Sequence, residues 1–175
     1  MPVYVALLRA VNVGGTSTIT MAELRAICDS LGFTAVKTYI QSGNVLFRTK
    51  LSETEVRQRL EDALATRMGK TPGVILRSRR ALEEVVAMAP FPDAKPNFVL
   101  VTFLPEPPAA DALDELVAPD GEEVRIGVRE IFIHYPNGSG RSKLKLPALK
   151  AGTARNLNTV RKLAELAAAL EDENS

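Results

Sequence analysis

The sequence has one cysteine, one histidine and no tryptophan in 175 residues. A lone cysteine, Cys28, forbids an intramolecular disulfide and fits a reducing compartment. One histidine and one cysteine are too few for the usual zinc ligand sets, so no metal or cofactor is expected. Aromatic residues make up only 5% of the chain, which argues against a stacking platform for bases. The formal net charge is +1, so the chain as a whole has no bias toward a charged partner. Apolar runs such as Val3 to Leu8 are far too short to span a bilayer. The N-terminus has no basic leader followed by a small-residue cleavage site and reads directly as a strand. A cytoplasmic protein without a membrane partner is the expectation.

What is present is an ordinary core-forming composition, 46% hydrophobic and 25% charged, arranged with clear periodicity. Val3 to Val11 is an apolar run of strand length. Thr20-Met-Ala-Glu23 has capping-box spacing and opens a helix with Leu24, Ile27, Cys28 and Leu31 on one face, which Gly32 stops. Val36 to Gln41 and Val45 to Thr49 read as strands joined by a tight turn. Ser52-Glu-Thr-Glu55 is a second capping box, leading into a helix with the stripe Val56, Leu60, Ala63, Leu64. Gly73 to Leu76 is a short strand, and Arg80 to Met88 a brief helix.

Pro90-Phe-Pro92 and Lys95-Pro96 then mark a connection. Beyond it the element order recurs. Asn97 to Leu104 reads as a strand, Ala109 to Val117 as a helix, Glu122 to Ile126 and Glu130 to Tyr135 as a hairpin about Gly127. Arg155 to Leu170 reads as a long terminal helix, and Pro136 to Gly152 as the one long irregular segment. The pattern predicts an α+β protein built from duplicated ferredoxin-like (βαββαβ) units with largely antiparallel sheets, the second copy lacking its final strand. The halves would be 1–89 and 97–175, joined by a proline-rich connection at 90–96. A single larger mixed sheet is the competing arrangement.

Three polar clusters stand apart from this apolar framework. They are Arg9-Ala-Val-Asn12-Val-Gly14-Gly15, Gln41-Ser42-Gly43-Asn44, and Thr153-Ala-Arg155-Asn156-Leu-Asn158-Thr159. In a βαββαβ unit the first two strands run in the same direction. The first two clusters therefore fall at one end of the sheet, roughly two strand spacings or ~10 Å apart. Gly14-Gly15 ahead of a helix suggests a nest of N–H groups for a phosphate or carboxylate, although a strand-to-helix loop alone also uses glycine. Ser42-Gly43-Asn44 is what a tight turn demands, and Gln41 and Asn44 add amide donors and acceptors. Thr153 or Asn156 serves as an N-cap for the last helix. Arg155 beside a helix N-terminus calls for a carboxylate or an anion to hold it.

Charge patterning adds one hint. From Ile131 to Ala164 there is no Asp or Glu, whereas Arg141, Lys143, Lys145, Lys150, Arg155, Arg161 and Lys162 all occur. Such a one-signed segment attracts nucleic acid, nucleotides or an acidic protein; balanced by Glu122-Glu123 or the Glu171-Asp-Glu173 tail, it is a solvated loop. Other chemistries are closed off. No G-x-G-x-x-G or Walker pattern occurs, and Gly138-Ser139-Gly140 does not fit a nucleophile elbow. Asn44-Val45-Leu46-Phe47 lacks the spaced aromatics of an RNA recognition motif. Cys28 reads as core, and His134 as a structural histidine at the end of an Ile-Phe-Ile strand. The candidate ligand residues are thus Arg9, Asn12, Gly14, Gly15, Gln41, Ser42, Asn44, Arg155, Asn156 and Thr159. The expected partner is an anion, a nucleotide or nucleic acid. A small-molecule enzyme and a ligand-free partner-binding protein are the alternatives.

Leu7-Leu8-Arg9-Ala-Val-Asn12-Val-Gly14-Gly15, Thr38-Tyr39-Ile40-Gln41-Ser42-Gly43-Asn44-Val45 and Thr153-Ala-Arg155-Asn156-Leu157-Asn158-Thr159-Val160, in that order, resemble the family catalogued as domain of unknown function 1697. The resemblance runs from the first strand to the last helix. It implies a cytoplasmic, mostly bacterial α+β protein of duplicated ferredoxin-like character, and it supplies no activity. One departure is visible: Leu157 stands where the family usually carries Trp.

Overall fold

The computed structural model describes residues 1–9, 19–39, 43–69 and 72–173. Asn12, Gly14, Gly15, Gln41 and Ser42 lie outside them. The described chain is mixed α+β, with four α-helices and two antiparallel four-stranded sheets. It divides into two units, one formed by Met1–Ala81 with Leu163–Ser175 and the other by Leu82–Lys162.

The first unit contains β1 (Val3–Arg9), α1 (Met21–Ser30), β2 (Thr34–Tyr39), β3 (Asn44–Arg48), α2 (Glu53–Met68) and β4 (Gly73–Ser78), with sheet order β2-β3-β1-β4. Both expected capping boxes form, because each needs only a contact three residues along the chain. Thr20 Oγ1 accepts from the Glu23 N–H and Ser52 Oγ from the Glu55 N–H. The left-handed Gly69 ends α2. Ala6, Leu8, Val45, Phe47, Val74 and Leu76 project from one sheet face onto Leu24 and Cys28 of α1 and Val56, Leu60 and Leu64 of α2. The α2 residues recur at every fourth position, so one stripe enters the core, each side chain contributing about 1.5–3 kcal/mol of burial. The opposite sheet face is apolar as well, with Val3, Val5, Leu7 and Leu46 all buried. On that face Arg48 donates from Nη2 to the Leu170 carbonyl.

The second unit contains β5 (Val99–Phe103), β6 (Glu123–Ile126), β7 (Glu130–His134) and β8 (Thr153–Asn156), ordered β6-β7-β5-β8. The helix α3 (Arg79–Met88) precedes it in the chain, and α4 (Leu157–Asp172) begins directly after β8. The hairpin closes at Gly127, whose N–H donates to the Glu130 carbonyl at 2.8 Å. Leu104, Val124, Ile131, Ile133, Tyr135 and Leu146 form its core cluster.

Three expectations are corrected here. A fourth strand is present in the second sheet: Thr153–Asn156 pairs with Leu100–Phe103. Arg155 and Asn156 accordingly belong to a strand, and α4 starts two residues later than its apolar period suggests. The segment from Ala109 to Val117 is a series of turns, closed by bonds such as Ala112 N–H to the Ala109 carbonyl and Leu116 N–H to the Leu113 carbonyl. The run begins right after Pro107-Pro108, and its bonds reach back three residues, a spacing that rarely extends into a longer helix.

Candidate functional site

The end of β1 and the turn before β3 meet in the first unit. The Leu8 N–H donates to the Gly43 carbonyl at 2.9 Å, and Leu7 lies opposite Asn44 in the ladder. Arg9, Gly43 and Asn44, the described residues of the first two polar clusters, therefore lie at one end of one sheet, as the strand directions require. Asn44 is fully buried (0% exposed), and its Nδ2 donates to the Tyr39 carbonyl at 3.1 Å. This amide ties the start of β3 to the end of β2.

Arg9 pairs with Gly73 across β1 and β4. Its side chain lies over that glycine: a Cβ added at Gly73 would sit 2.9 Å from Arg9 Nε and 3.4 Å from its Cζ. The missing side chain gives the guanidinium stem its berth.

The third cluster lies in the other unit and is tied up locally. Arg155 is 7% exposed and donates from Nη1 to Thr153 Oγ1 at 2.6 Å and to the Ala154 carbonyl at 3.0 Å. Burial pulls its guanidinium down from its ordinary value to about 10, which still leaves it charged at neutral pH. Asn156 Oδ1 accepts from the Thr159 N–H at 2.9 Å, so Asn156 caps α4 and Thr159 supplies the capped N–H. The basic run around them is not a uniform surface, because Arg155 is inside.

A second constellation, which the sequence pattern does not announce, occurs in the second unit. Phe91 holds a left-handed backbone, φ 66°, a conformation that costs a residue with a side chain roughly 1–2 kcal/mol. Its ring lies 5.6 Å from the His134 ring and 5.7 Å from the Arg125 guanidinium carbon; Arg125 Nη2 in turn lies 3.5 Å from Glu123 Oε2. These residues line a cleft of about 380 Å³ with Asp93. The proline pair Pro90 and Pro92 around Phe91 was the available signal, but on sequence alone it reads only as a connector. Among the described residues no group of three or more His, Cys, Asp or Glu is arranged to hold a metal. No helix among them is long and apolar enough to cross a membrane.

Comparison with known proteins yields no function. No curated protein matches the chain. The fold is shared with a solved structure of the conserved bacterial protein SP0830 from Streptococcus pneumoniae. The two are 26% identical with a TM-score of 0.79, covering 95% of this chain and 98% of the other. The sequence profile described as "Protein of unknown function (DUF1697)" matches residues 1–132, a span that includes the first two polar clusters and stops short of the third. The chain belongs to that uncharacterised family.

Proposed function

We propose that the chain binds a phosphate-bearing anion, a nucleotide or a nucleic acid, at the end of the first sheet where β1 and the β2–β3 turn come together. The observation that carries this reading is the Leu8–Gly43 hydrogen bond at 2.9 Å. It sets Arg9 beside Gly43 and Asn44, at the point where the chain departs toward Asn12, Gly14 and Gly15 on one side and Gln41 and Ser42 on the other. Arg9 supplies the cation, the glycines backbone N–H groups, and the amides hydrogen bonds. The berth for Arg9 above Gly73 supports a held guanidinium rather than a freely swinging one. Arg155, Asn156 and Thr159 serve this reading only from their own unit, by securing β8 and α4. No catalytic step is part of it, and the setting is cytoplasmic.

Fluorescence polarisation with labelled RNA, DNA and nucleotides at low and moderate salt tests the proposal. Binding that weakens with salt, and that Arg9→Ala lowers about tenfold or more, is the expected result. Gly73→Ala, which evicts the Arg9 stem, should weaken binding in parallel. A panel that shows no binding, or binding indifferent to both variants, would sink it.

We also infer that the two halves of the chain, 1–89 and 97–175 linked by 90–96, are copies of one ferredoxin-like βαββαβ plan, the second with turns in place of its first helix. Identical sheet orders support this, as do matching ladders: Leu8 N–H to the Gly43 carbonyl is mirrored by Leu104 N–H to the Arg129 carbonyl, both 2.9 Å.

A further inference from the structure

A small cleft in the second unit is built around a carboxylate that the polar-cluster pattern passes over. Gly121 and Gly138 both take left-handed backbones, φ 82° each, and so turn the chain sharply on either side of it. Between those turns lies a space of about 160 Å³. Glu122 and Tyr135 line it, each only 8% exposed, and Asn137 and Arg141 stand at its exposed rim.

The polar groups are set in a definite direction. Glu122 Oε1 accepts from the Asp120 N–H at 2.7 Å and Oε2 from the Ser142 hydroxyl at 3.0 Å. Ser142 Oγ in turn accepts from the Leu144 N–H at 3.1 Å, which fixes the hydroxyl as the donor to Glu122. Burial raises the Glu122 carboxyl, but the Asp120 and Glu122 N–H groups and Ser142 outweigh it and hold the group below its ordinary value. The carboxylate is therefore ionised, with lone pairs remaining. Tyr135 is pushed the other way, by burial and by the Glu122 charge, so its hydroxyl stays protonated. That hydroxyl has no hydrogen-bond partner among the described residues, and the Arg141 guanidinium has no ion pair among them. An ionised carboxylate held by N–H and hydroxyl donors, a phenol without a hydrogen bond and an exposed rim cation thus line one concavity.

We propose that this cleft binds a small free α-amino acid. Glu122 and Tyr135 take the ammonium group, and Arg141 with Asn137 takes the carboxylate. The opposite charges of the ligand match the opposite charges of the cleft, Glu122 to ammonium and rim cation to carboxylate. At roughly 30 Å³ per water the space holds about five waters, close to the heavy-atom count of glycine or alanine. Larger side chains must project through the rim or be refused. The unaided structural role of Glu122, pinning the 137–145 loop through Ser142, explains its burial but neither the Tyr135 hydroxyl nor the unpaired Arg141.

The test is an amide NMR titration of the full chain with glycine, alanine and serine, alongside glycinamide, which lacks the carboxylate, and N-acetylglycine, which lacks the ammonium. Saturable shifts at Glu122, Tyr135 and Arg141 with the free amino acids are expected, about tenfold weaker or absent with both derivatives. Arg141→Ala, a change at an exposed side chain, should weaken amino-acid binding about tenfold while leaving glycinamide unaffected. Tyr135→Phe should weaken both and keep the fold. Three results would overturn the proposal: no shift at these residues up to about 50 mM amino acid, equal binding of N-acetylglycine, or affinities unchanged in both variants.

Discussion

Arg77 and Arg155 occupy the same station in the two sheets: each sits on the fourth strand directly opposite a buried valine of the first, Val5 and Val101. Arg77 is 1% exposed, and each arginine donates from Nη1 to the carbonyl of the residue before it, at 2.9 and 3.0 Å. A buried guanidinium must have its donors satisfied or it costs more than its packing returns. In both residues Nη1 meets part of that need by folding back on its own strand.

The first prediction follows from that geometry. Arg155→Ala strips the Thr153 hydroxyl and Ala154 carbonyl of a donor and leaves a hole, and should cost about 2–4 kcal/mol in urea denaturation. Arg155→Lys keeps the charge but loses the fork, and should fall between wild type and the alanine variant. An alanine variant as stable as wild type would mean that Arg155 is held by nothing that matters to the fold.

Two glycines separate packing from backbone strain. A Cβ at Gly152 would meet the Phe103 carbonyl oxygen at 2.4 Å and Thr102 Cγ2 at 2.7 Å. Backbone cannot step aside there, so Gly152→Ala should cost about 3 kcal/mol or more as β8 is pushed from β5. At Gly69 the φ is 76° but nothing lies within 4 Å, so Gly69→Ala should cost only the left-handed penalty of about 1–2 kcal/mol. Thermal melts of the pair check the order, and the reverse order would contradict the close approach at Gly152.

Local grammar was legible in this chain and long-range pairing was not. The capping boxes at Thr20 and Ser52 and the Gly127 hairpin depend on contacts three residues apart, which a window of sequence contains. β8 depends on a ladder to Leu100–Phe103, some fifty residues away, and Thr153-Ala-Arg-Asn carries no alternation strong enough to announce it. Arg155 read as a helix-terminal cation because its burial comes from that ladder. The joint position of Arg9 and Asn44 was legible because strand direction alone dictates it. The Glu122 cleft was not, since Ser142 returns to that carboxylate from twenty residues on. Asn12, Gly14, Gly15, Gln41 and Ser42 lie outside the described residues.

Asn44 and Asn156 should behave as structural amides of unequal weight. Asn156→Ala removes one N-cap acceptor at a half-buried helix start, worth about 1 kcal/mol. Asn44→Ala leaves the Tyr39 carbonyl without its side-chain donor in a fully buried site and should cost about 1–3 kcal/mol. Asn156→Ser, which can still cap, should recover most of the loss at that position. Chemical denaturation of the three variants measures this. An Asn44→Ala protein that is as stable as wild type yet fails to bind nucleotide would shift Asn44 from strand tie to ligand contact.

Cys28 gives a prediction with a pH sign. It lies wholly buried on α1 in the first core, and burial, followed by the Asp29 charge, pushes its thiol up to about 12. The folded chain keeps that proton where the unfolded chain has already lost it. The resulting stabilisation is complete below the unfolded thiol value near 9 and is lost as pH rises through the folded value. Between those limits unfolding should become easier by up to about 1.4 kcal/mol per pH unit from this one group. Cys28→Ala should start less stable, from the small cavity it leaves, and show a shallower decline over the same range. A thiol-labelling reagent at pH 8 should react only as fast as the protein unfolds, rising with urea along the unfolding curve. Rapid labelling of the native protein, or equal alkaline slopes for the two proteins, would show that the α1 core opens far more readily than its packing implies.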